Sequence, residues 1–207
     1  MPKEITPSGR GLEPELDNFD PNKIPVSKKK VVIEDEPSSE PDTPEEKPAP
    51  VSDSKQIFQK VVEFGKGYLI VQTNQGKIKL SNGTLAWRNN NPGNIKYGPF
   101  AKENGAIGEG GQDLAVFPTY EDGEAAQIKL LFGENSSYKN LTLQQAIYKY
   151  APSSDGNDPK EYTNFVAKKS GISKTMIMGK LTKEKQKALV DAMHIIEGFQ
   201  KGKVTKL

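Results

Sequence analysis

Tyr68-Leu69-Ile70-Val71-Gln72-Thr73-Asn74-Gln75-Gly76-Lys77-Ile78-Lys79-Leu80 reads as two short strands and the turn between them. The first run is β-branched and aromatic, and the second alternates so that Ile78 and Leu80 share one face. Polar turn residues between two such runs are a hairpin signal. Ser81-Asn82-Gly83-Thr84 is a second turn that closes the unit. Upstream, Lys60-Val61-Val62-Glu63-Phe64 has the same strand character, after a short helical or irregular lead. A helix from Asp53 or Ser54 to Glu63 is the alternative, because Ile57, Val61 and Phe64 also fit helical spacing.

Downstream of Thr119 the period changes to that of a helix. Thr119 or Glu121 starts one that carries Ala125, Ile128, Leu131 and Phe132, and Gly133 ends it. Thr142 caps a second, with Leu143, Ala146, Ile147 and Tyr150 on its apolar side and Pro152 as its stop. Asp158-Pro159 is an N-cap followed by proline at the first helical position, ahead of Tyr162, Phe165 and Val166; Gly171 closes that helix. The last begins at Thr182, with Leu189, Ala192, Met193 and Ile196 as its stripe. The expected class is α+β: a small β unit followed by a mostly helical domain over residues 54–207.

Residues 1–53 are made of different material. They hold 10 of the 15 prolines but one of the 16 aromatic residues, Phe19, and 13 acids against 7 bases. The remainder has 14 acids and 22 bases, so a formal charge of +2 conceals halves of −6 and +8. Glu34 to Pro48 alternates proline with acid and cannot bury enough apolar surface to offset chain entropy. The expectation is a disordered arm, with Leu12, Leu16, Phe19, Ile24 and Val26 as a docking segment that orders on a partner. Lys28-Lys29-Lys30 has no aromatics beside it to stack on bases, so no nucleic-acid partner is expected.

Composition excludes several chemistries. Apolar runs such as Tyr68 to Val71 are far short of the roughly 20 residues that span a bilayer. Met1-Pro2-Lys3-Glu4 leads into no secretory signal. There is no cysteine, hence no thiolate chemistry or Cys-rich zinc site. One histidine, His194, rules out a multi-His metal centre, and neither metal nor cofactor is expected. Gly105 to Gly111 lacks the lysine and Ser/Thr of a phosphate-binding loop. Acid–base work therefore falls to carboxylates.

Trp87-Arg88-Asn89-Asn90-Asn91-Pro92-Gly93-Asn94-Ile95-Lys96-Tyr97-Gly98 is the most unusual segment. Four asparagines, a proline and two glycines form a tight turn, and the amides need partners. Those partners are the turn's own backbone, or a sugar whose hydroxyls meet the amides while Trp87 and Tyr97 offer ring faces.

Together with Phe100-Ala101, Gly105 to Gly108, Ala115-Val116-Phe117-Pro118 and Tyr150-Ala151-Pro152, this segment resembles a lysozyme-like domain of bacteriophage virion structural proteins, also found in some secreted bacterial effectors. The resemblance covers roughly residues 68–202. A looser one links Asn90 to Ile95 with the asparagine loop of glucosaminidases, but no Glu-Ser-Gly-type helix end precedes the loop here. The resemblance implies a peptidoglycan-directed protein whose Arg88, Asn89, Asn90, Asn94, Tyr97, Tyr150 and Asp155 hold the glycan.

Cleaving a glycosidic bond needs a carboxylic acid to protonate the leaving oxygen, usually with a second carboxylate. Glu197 closes the apolar run Met193-His194-Ile195-Ile196 and matches the C-terminal pattern of the virion proteins. Glu63 precedes the β unit, the order lysozymes use for their acid. These two are the candidate catalytic residues. The expected activity is that of a glycosidase or lytic transglycosylase carried by the virion, acting at the bacterial envelope and joined to other virion proteins through the arm. The alternatives are a structural or adsorption protein that binds wall sugar without cutting it, and a secreted antibacterial effector.

Overall fold

Leu69, Val71, Ile78 and Leu80 turn to one side of an antiparallel sheet and are at most 3% exposed. In the computed structural model, which describes residues 55–207, β1 (Phe58–Gly65), β2 (Tyr68–Thr73) and β3 (Gly76–Ser81) form two successive hairpins. Leu69 pairs with Leu80 and Val71 with Ile78, so the alternation seen in the sequence becomes a shared inner face. The β2–β3 turn is pinned by Thr73, whose Oγ1 donates to the Gly76 carbonyl and accepts from the Gln75 amide. The expectations for residues 1–53 lie outside the described residues.

The alternative of a helix through Glu63 does not form. Phe58 pairs with Thr73 and Val61 with Val71, so those apolar residues serve the sheet. The strand starts two residues ahead of the Lys60 run, after an irregular lead.

A connector follows, built from α1 (Leu85–Arg88), α2 (Pro99–Glu103) and the two-residue strands β4 (Gly108–Glu109) and β5 (Ala115–Val116). It packs Ile95, Ala101, Ala115 and Phe117 against Ala126 of the next helix.

Four helices then enclose the main core. They are α3 (Tyr120–Phe132), α4 (Leu143–Tyr150), α5 (Pro159–Ser170) and α6 (Lys183–Glu197). Thr119, Thr142, Asp158 and Thr182 each accept a backbone hydrogen bond as N-caps, and Thr142 with Gln145 completes a capping box. Leu143, Ile147, Val166, Leu189 and Met193 are at most 1% exposed at their centre. Beyond α6 the chain returns as β6 (Lys203–Lys206), which pairs with β3 and completes the order β1-β2-β3-β6. This return brings the end of α6 back beside the turn that follows β3: the Thr84 amide donates to the carbonyl of Gln200. Among the described residues no helix is long and apolar enough to cross a membrane.

Candidate functional site

The asparagine turn is shaped by backbone that few residues adopt. Asn90 and Asn94 have φ of 49° and 47°, in the left-handed region where asparagine is tolerated. Its four amides do four different things. Asn91 is spent on the turn itself: its amide nitrogen donates to the Ile95 and Ala115 carbonyls, and its oxygen accepts from the Ile95 amide. Asn90 Nδ2 donates to the carbonyls of Phe117 and Pro118. Asn89 is fully buried and neither amide atom has a partner among the described residues. Asn94 points away from the turn, and its Nδ2 donates to Glu197 Oε2 at 2.7 Å.

Glu197 is the last residue of α6, where Gly198 in the left-handed conformation ends the helix. Its second oxygen, Oε1, accepts from the Tyr162 hydroxyl at 2.8 Å. Three elements thus converge on one carboxylate: the turn, α5 and α6. Tyr162 is 5% exposed, and burial followed by the charge of Glu197 pushes its hydroxyl well above the usual tyrosine range. It therefore acts as a neutral donor. The Asn94 carbonyl oxygen is buried without a partner among the described residues. Leaving such an acceptor unpaired costs about 1–3 kcal/mol, which a hydroxyl donor would offset.

Tyr150 approaches from α4. Its hydroxyl donates to the Gly93 carbonyl and accepts from Gln127 Nε2 at 3.1 Å. Gln127 Oε1 meets His194 Nε2 at 2.6 Å, and His194 Nδ1 meets the Tyr120 hydroxyl at 2.9 Å. The directions are forced. Gln127 Oε1 can only accept, so Nε2 carries the imidazole proton and Nδ1 accepts from Tyr120. Burial lowers the His194 pKa to about 4, keeping that tautomer neutral. A single file of hydrogen bonds therefore runs Tyr120, His194, Gln127, Tyr150, Gly93, from α3 into the turn.

The structure places the remaining candidates as follows. Arg88 is 7% exposed, and its Nη1 donates to the carbonyls of Asn82 and Gly83, bracing the turn after β3. Trp87 packs with Phe58, Leu69 and Val116 in the core and is 9% exposed. Tyr97 is half-buried against the connector core with Lys102 Nζ 4.8 Å above its ring. Asp155, in a 3₁₀ turn (Ser153–Asp155), pairs with Lys96 at 3.0 Å and so sits beside the turn. Glu63 is exposed on β1, and its carboxylate accepts from the Tyr68 hydroxyl on the neighbouring strand.

Two surface cavities lie elsewhere, and neither is lined by Asn94, Tyr162 or Glu197. One of about 240 Å3 is lined by Trp87, Asn90, Tyr120 and Val204, the other of about 230 Å3 by Asn104, Asp122, Ala126 and Lys129. Glu124, Asp191 and His194 bring ligand atoms within 4.8 Å of one another. The Lys187 ammonium pairs with both carboxylates.

Sequence reading missed Tyr162 and Gln127. The signal for Tyr162 was present: a tyrosine on the buried stripe of a helix needs a partner for its hydroxyl.

No family model matches the chain. It is similar to Protein P5 of Pseudoalteromonas phage PM2, with 36% identity over 112 residues, 51% of this chain and 66% of that protein. The match spans a little under two thirds of that protein's length.

Proposed function

We propose that this chain is a component of a bacteriophage particle that meets the bacterial cell wall and cuts its glycan strand, with Glu197 as the working carboxylate. The observation that carries the reading is the convergence of Asn94 and Tyr162 on that carboxylate. Similarity to a bacteriophage protein supports the place in a particle, and the choice of the wall as target rests on the motif resemblance of residues 87–98 alone. A charge of +8 over residues 54–207 favours encounter with an anionic envelope. The segment from Leu12 to Val26 would join the chain to other particle proteins.

In this reading a glycan lies across the half-buried Asn94 and the carboxylate that it holds. Glu197, once protonated, gives its proton to the glycosidic oxygen. As a carboxylate it then accepts a proton from the attacking group, water or a hydroxyl of the same sugar. Paired catalytic carboxyls stand about 5–9.5 Å apart. Asp155, held by Lys96 beside the turn, is the acid to examine as a second member. Binding of wall sugar without cleavage is the second reading, favoured because both Glu197 oxygens already accept hydrogen bonds as a carboxylate does.

Incubating the full-length chain with purified peptidoglycan and weighing the soluble fragments by mass spectrometry separates these readings. Cleavage by water gives ordinary reducing ends; attack from within the sugar gives fragments lighter by one water. Sedimentation with the wall and no fragment release would leave binding alone, and neither would remove the wall from the account.

A further inference from the structure

The net positive charge of the described residues is concentrated in the segments that carry the sheet. Residues 55–81 and 201–207, which contain the four long strands, hold eight lysines and a single acid, Glu63. Residues 82–200 hold 14 bases and 13 acids and are nearly neutral. Pairing sorts the sheet lysines by face. Lys79 stands opposite Ile70, Lys77 and Lys60 flank Gln72, and Lys203 stands opposite Ser81. All four lie on the side away from Leu69, Val71, Ile78 and Leu80. Tyr68 shares that side, with Lys79 Nζ 4.7 Å from its ring centre. The one acid there is Glu63, engaged by the Tyr68 hydroxyl.

We propose that this outer sheet face is the docking surface for the acidic stretch of the same chain, residues 34–46. That stretch has seven acids and no base, and the outer face it would meet carries four lysines and one acid. Its attachment places it there. Residues 47–54 connect it to Lys55, just ahead of β1, the edge strand of this sheet. Eight extended residues reach up to about 26 Å. Four strands about 5 Å apart are only some 15 Å across, so every outer lysine is within reach. Single exposed ion pairs are weak, but a tether of this length supplies an effective concentration in the millimolar range, and several pairs act at once. Docking the acids on the sheet leaves the segment from Leu12 to Val26 free to engage a particle partner.

Carbodiimide cross-linking of the full 207-residue chain, with the joined peptides read by mass spectrometry, tests this directly. The acids of 34–46 should link to Lys60, Lys77, Lys79 and Lys203 in preference to helix lysines such as Lys168, Lys169 and Lys183. The yield should fall by more than half in 1 M salt, where the screening length is about 3 Å. Links spread over all exposed lysines, or a yield indifferent to salt, would overturn the proposal. So would mixed-isotope links in an equal mixture of light and 15N-labelled chains, since these assign the acids to a second copy. A variant with the seven acids converted to amides provides the second measurement. Its backbone amide resonances should shift in β1, β2 and β3 and stay unchanged in α4 and α5; unchanged strand resonances would refute the contact.

Discussion

Gly123 lacks a side chain because none would fit: a Cβ there would stand 2.0 Å from the Asn90 carbonyl oxygen. Helix α3 thus rests on the backbone of the asparagine turn. Gly110 plays the same part on the other side, where a Cβ would lie 2.3 Å from Asn89 Oδ1. Gly123→Ala should therefore destabilise the chain by about 1–3 kcal/mol through overpacking, seen as a lower denaturation midpoint with an unchanged slope. An alanine variant of native stability would mean that the turn gives way easily, contrary to the role assigned to it. The asparagines were legible as a turn because few other residues accept a left-handed backbone. The division of labour among them was not. Asn91 and Asn94 are the same residue type three positions apart; packing with Ala115 decides that one braces the turn, and the arrival of Glu197, 103 residues later, decides that the other faces an acid.

Helix boundaries were the most readable elements, since each is written locally: Thr142 before Leu143, Asp158 before Pro159, Gly171 after Ser170. Strand β6 was not readable. Lys203-Val204-Thr205-Lys206 is short and exposed throughout, and only its pairing with β3 makes it a strand. Between α3 and α6 the important contact is the buried His194–Gln127 hydrogen bond. His194 has an ordinary pKa near 6.5 in an unfolded chain and about 4 when folded. Burial lowers it, Asp191 opposes that, and Lys187 adds to it. Between those values the unfolded state binds more protons, so stability is fully present above pH 6.5 and falls as the pH drops toward 4. The loss should be on the order of 3 kcal/mol. Denaturant titrations of the parent and a His194→Gln variant across this window would check it, the variant showing a shallower dependence. Equal slopes would place the acid sensitivity in the carboxylates.

For the whole molecule, the sheet and the helices meet at the asparagine turn, and the chain's return through Gln200 to β6 ties the end of α6 beside it. The α+β class was legible because the period of the apolar residues changes once along the chain. Which carboxylate faces the turn was not, because Glu197 and Glu63 each sit next to apolar residues in the sequence and only the fold distinguishes them. Glu63 ends on an exposed strand, bonded to Tyr68; Glu197 ends between Asn94 and Tyr162. The most direct measurement is the initial rate of soluble fragment release from purified peptidoglycan by the full-length chain and by its Glu197→Gln and Glu63→Gln variants. The account predicts a loss of about 10²–10⁴-fold for Glu197→Gln and an unchanged rate for Glu63→Gln. A Glu197→Gln chain that cuts as fast as the parent would contradict it.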